Sequence, residues 1–140
     1  MKKLINRAFL HAMFALAGGV FYREFTKWNG FEGRTVLAFV HPHLLLMGSF
    51  LLLIAALFAK QLPLLETKRF KTFLALHTAG LPFMVVMMLV RGVLQVLGTN
   101  LSRGMDAAIS GIAGIGHCIL GASIVYLFLA LKSALPKGAA

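Results

Sequence analysis

Long apolar runs separated by short polar clusters set the pattern of this chain. A transmembrane helix needs about 20 mostly apolar residues, and segments at roughly 4–22, 35–59, 72–97 and 107–131 reach that length. The connections carry turn-forming residues: Trp28-Asn29-Gly30 with Glu32-Gly33-Arg34, then Gln61-Leu62-Pro63, then Gly98-Thr99-Asn100. None is long enough to separate two domains. The pattern therefore predicts one all-α domain over residues 1–140, an integral membrane four-helix bundle. Inside the second run, Pro42 removes a backbone donor, which predicts a local kink near Ala38. A second reading of the N-terminus is a cleaved signal peptide, from Lys2-Lys3 through Ala15-Leu16-Ala17. It would leave three spans in the same orientation.

Composition narrows the class. The chain is 59% hydrophobic and 13% charged, against about 25% charged residues in soluble domains. That excludes a soluble globular enzyme and a disordered tail. The net charge of +10 lies in clusters between the apolar runs rather than on one basic face, so it points to membrane topology and not to a nucleic-acid partner. Nine basic residues fall on one side, from Lys2, Lys3 and Arg7 through Lys60 and the Lys68–Lys71 cluster to Lys132 and Lys137. Five, Arg23, Lys27, Arg34, Arg91 and Arg103, fall toward the other. The positive-inside rule then places both termini and the middle connection in the cytoplasm.

All five histidines lie in predicted spans. Ionisable groups in a bilayer are costly and mark functional sites, although a neutral imidazole can also simply bond a neighbouring helix. Counting 1.5 Å per residue, His41 and His43 lie roughly 9–12 Å below one end of the second span, and His117 lies at roughly 15 Å. These three form an outer tier, with His11 and His77 as a possible inner one. Two residues apart on a helix means about 200° of rotation, so His41 and His43 face opposite ways. Gly114, His117 and Gly121 share a face, and Gly48 lies on the face of His41. Missing side chains beside a histidine leave room for a flat porphyrin, or equally for close helix packing. Arg91 and Arg34 are candidate partners for haem propionates; snorkelling to the interface is the plainer role for Arg91. Met84, Met87 and Met88 read as packing residues before copper ligands. Cys118 stands alone, which excludes a disulfide within the chain. No carboxylate cluster, phosphate loop or nucleophile–base pair is visible, so nothing marks an enzyme.

Several stretches carry a resemblance: Val20-Phe21-Tyr22-Arg23-Glu24-Phe25, His41-x-His43-Leu44-Leu45, Arg91-Gly92-x-Leu94-Gln95-Val96-Leu97-Gly98 and Gly111-Ile112-Ala113-Gly114-Ile115-Gly116-His117. Over nearly its full length the chain resembles a family of small, uncharacterised four-span bacterial membrane proteins. That resemblance implies the bacterial cytoplasmic (inner) membrane. Locally, His41-x-His43 followed by Leu46-Met47-Gly48 is similar to the haem-ligating helix of haem-copper oxidase subunit I. The oxidases' His-His copper pair is missing, as is the tyrosine four residues after His-Pro. The resemblance therefore implies haem ligation rather than oxygen reduction. Subunit I arranges twelve spans as three arcs of four, so it also implies a twelve-helix homotrimer. The expected protein binds haem b through two of His41, His43 and His117, for electron transfer or for gas or haem sensing with an unidentified redox partner. Copper or another soft metal, transported or stored, is the alternative cargo; a structural membrane subunit is the other alternative. Covalent haem attachment is excluded because no Cys-x-x-Cys-His is present.

Overall fold

The computed structural model describes residues 1–136; Lys137, one of the nine basic residues expected on the cytoplasmic side, lies outside the described residues. Among these, all regular structure is helical. Four helices are long and apolar enough to cross a membrane: Lys2–Trp28, Val36–Gln61, Lys68–Val96 and Arg103–Ala134, the first to fourth spans. Local chemistry fixes their ends. The hydroxyls of Thr67 and Ser102 accept the N–H groups of Phe70 and Met105, capping the third and fourth spans. Gly30 and Gly98 adopt φ of +58° and +61° just past the first and third spans, a backbone conformation that disfavours a side chain. Trp28 is 78% exposed at the end of the first span, the position of an interfacial aromatic anchor.

Pro42 does distort the second span. It opens with a 3₁₀ turn, Val36–Phe39, continues through one α-helical turn, Val40–His43, and widens into a π-helix over Leu44–Phe50. Regular α-helix resumes at Leu51. A proline that cannot donate its share of the ladder leaves the backbone to change its hydrogen-bonding step on either side. One product is a carbonyl directed outward: that of Met47 accepts the Nε2–H of His77 at 2.8 Å.

The first span packs on the second and the third on the fourth, while the start of the second span docks on the third. A core cluster joins all four spans near the chain termini, around Ala8, Leu52, Phe73 and Ala130. Another fills the middle, around Ala15, Leu44, Met84 and Leu120. Beyond Ala15 in the first span, and before Gly116 in the fourth, no residue is buried. The bundle is therefore closed at the end that carries the termini and open at the other.

Lipid gives helices no hydrophobic reason to associate, so small residues and polar contacts hold them. At Gly80 a Cβ would stand 2.8 Å from Ile119 Cγ2 and 3.0 Å from the Leu120 nitrogen; at Gly116 it would stand 3.1 Å from Met84 Cα. These two glycines let the third and fourth spans cross at backbone distance. At the open end, Thr35 Oγ1 donates to the Gly92 carbonyl at 3.0 Å, and the Val36 N–H donates to Gln95 Oε1 at 2.9 Å. This clamp ties the second span to the third at the end where the first and fourth bury nothing. Thr35→Val is expected to destabilise the protein by about 1–2 kcal/mol, because the hydroxyl also accepts the Leu37 N–H and each bond contributes about 1 kcal/mol net. Thermal unfolding in detergent measures it.

Candidate functional site

The histidines assemble as two pairs. His43 of the second span and His117 of the fourth approach to 6.4 Å between ring centroids, with ring planes at 84°. His11 of the first span and His77 of the third approach to 5.8 Å. The inner pair sits in the closed half, where His77 is buried; the outer pair sits in the open half.

Hydrogen bonding gives the outer pair its chemical character. His43 Nδ1 lies 2.7 Å from the Phe39 carbonyl and His117 Nδ1 lies 3.0 Å from the Ala113 carbonyl, each one helical turn back. A carbonyl only accepts, so each Nδ1 carries a proton, and in a neutral imidazole the free lone pair is then on Nε2. Metal-binding histidines are held in this way, with one ring nitrogen tied to a carbonyl and the other free to ligate. The two rings are close enough for both to reach one bound group.

A half-open pocket of about 220 Å³ is lined by both histidines, with Met87, Met88 and Arg91 also on its wall. Arg91 is committed elsewhere in part: its guanidinium pairs with Asp106 at 3.1 Å and donates to Ser110 Oγ at 2.7 Å. Arg34 is exposed at the same open end, one residue before Thr35 of the clamp. A Cβ added at Gly114 or Gly121, on the face of His117, would meet nothing within 4 Å, so that face of the fourth span is open.

His41 and Gly48 serve a different contact. The His41 ring lies 3.7 Å from where Gly19 would carry a Cβ, against the first span, and its buried Nδ1 has no partner. Gly48 admits His11, whose Cβ stands 2.8 Å from the position of a Gly48 side chain. The space beside Gly48 is thus filled by the protein itself, not left for a flat ligand. Sequence spacing placed His41 and His43 on opposite faces, but it did not show which of them meets His117. Nor did it carry a signal for the outward carbonyl of Met47, which arises from the π-helical segment. Among the described residues no three or more His, Cys, Asp or Glu side chains converge as a metal-holding group.

No curated protein and no solved structure matches the chain. Residues 1–134 match the family described as "Protein of unknown function (DUF2871)", so nearly the whole chain, histidine pairs included, belongs to that family.

Proposed function

We propose that this chain is a membrane b-type haem protein in which His43 and His117 are the two axial ligands. The observation that carries the reading is the pair itself: two imidazoles on different spans, 6.4 Å apart, each with Nδ1 bound to a carbonyl of its own helix. The donor set fits a porphyrin better than a bare cation. A zinc-like ion asks for about four protein ligands, whereas haem brings four nitrogens and leaves two axial positions. When bound between His43 and His117, haem would supply one-electron transfer. The chain's own residues orient the imidazoles through Phe39 and Ala113, and the Arg91–Asp106 pair holds a cation at the wall. Electron transfer, or sensing of haem or a gas, follows from that ligand set.

The pocket lined by both rings is smaller than a macrocycle, and Gly114 and Gly121 leave the neighbouring face of the fourth span bare. A homotrimer resembling the three arcs of haem-copper oxidase subunit I supplies the missing wall from a second copy. The membrane is the bacterial inner one, with both termini cytoplasmic. The distribution of Lys and Arg supports that orientation. Single cysteines in a Cys118→Ser background test it. Asn100→Cys is expected to react with an impermeant maleimide in intact cells and Ser133→Cys only after lysis; the opposite pattern inverts the topology.

A second reading has its own observation. Met87 and Met88 share the cavity with His43 and His117, and thioether with imidazole is a soft donor set suited to Cu(I). Metal analysis of the purified protein separates the two: iron with porphyrin absorbance for the first, copper without it for the second.

A further inference from the structure

We propose that the groove between the first and third spans binds an anionic phospholipid of the surrounding bilayer, with its phosphate on Arg7 and one acyl chain along the groove. This inference is independent of haem binding. The groove has a volume of about 770 Å³ and is half open to its surroundings, within the range of about 300–1,000 Å³ over which proteins bind small molecules. Leu10, Phe14 and Phe21 form one wall, Val86 and Leu89 the other, and Leu44 of the second span part of its floor. Small residues on the first span, Ala17 and Gly18, leave the space unfilled. From Arg7 to Phe21 it runs about 21 Å at 1.5 Å per residue, longer than the about 15 Å of hydrocarbon in one leaflet. An extended acyl chain fits within it.

One end is polar and positively charged. Arg7 Nη1 donates to Thr78 Oγ1 at 3.1 Å, while Thr78 gives its own proton to the Leu74 carbonyl at 2.6 Å. Thr78 thus anchors the guanidinium across the groove mouth without neutralising it. Among the described residues the ion pairs are Arg23–Glu24 and Arg91–Asp106; no carboxylate reaches Arg7. A guanidinium carries five N–H donors in a planar fork, so several remain for a phosphate, which it binds in bidentate fashion. A cation at the edge of the hydrocarbon without a protein counter-charge is costly, and an anionic headgroup with its own tail removes that cost while filling the groove.

Native mass spectrometry of the purified full chain tests this with phosphatidylglycerol and phosphatidylethanolamine of identical acyl chains. The wild type is expected to retain phosphatidylglycerol at least about fivefold better. Arg7→Gln should lose that preference. Ala17→Trp, which leaves Arg7 in place and fills the groove, should lose retention of both lipids. Equal retention of the two lipids by the wild type overturns the proposal, as does undiminished phosphatidylglycerol on both variants. An Ala17→Trp protein that changes oligomeric state but keeps its lipid assigns the groove to a second copy and overturns it too. Preferential retention of an isoprenoid quinone over phosphatidylglycerol does the same.

Discussion

The His43→Ala, His117→Ala double variant is expected to purify with no Soret band, while His41→Ala and His11→Ala keep the wild-type spectrum. The contrast follows from which nitrogens are available. His43 and His117 lie together with each Nδ1 bound to a carbonyl of its own helix, which leaves Nε2 for a ligand, whereas His41 lies against Gly19 and His11 against Gly48. Under the proposed function, removing only His117 would leave His43 alone to hold the haem, so the reduced His117→Ala protein is expected to bind carbon monoxide, with a shifted Soret band, where the wild type does not. Circular dichroism and gel filtration must show the variants folded for the comparison to count. A His41→Ala protein that loses its spectrum while the double variant retains it would move the site to the other face of the second span.

Gly116→Leu and Gly80→Leu are expected to cost substantial stability at the contact of the third and fourth spans. Both glycines stand where a Cβ would press on the backbone of the facing span, at Met84 and Leu120 respectively. Overpacking ordinarily costs about 1–3 kcal/mol, and here the obstacle is main chain, which cannot rotate aside, so the third and fourth spans must separate. Gly114→Leu is the informative comparison, only two residues from Gly116 on the same helix. Its side chain enters open space, so the fold is expected to hold within about 0.5 kcal/mol. Under the proposed function it should nonetheless lower haem content, because it occupies the bare face beside His117. Equal melting temperatures for Gly114→Leu and Gly116→Leu would contradict the packing account.

Much of this architecture was legible from the chain alone. Runs of about 20 apolar residues define four spans because a bilayer leaves few alternatives. Pro42 announced a distortion for a local reason, the missing donor. The pairings were less accessible, since they depend on how helices rotate against one another. His117 meets His43 rather than His41 because the start of the second span is clamped to Gly92 and Gln95, a contact between residues nearly sixty positions apart. Gly48 was legible as a gap but not as the gap that receives His11. Arg7 counted as one more basic residue toward the orientation; only the fold shows it donating to Thr78 at the mouth of an apolar groove.

Haem held between His43 and His117 is the central claim, and the absorbance spectrum of the purified wild-type protein, expressed with ample haem, tests it most directly. Oxidised and dithionite-reduced spectra with a pyridine haemochrome assay are expected to show a Soret band, a reduced α band and non-covalent haem b. A folded, membrane-extracted protein with no porphyrin absorbance would contradict the account.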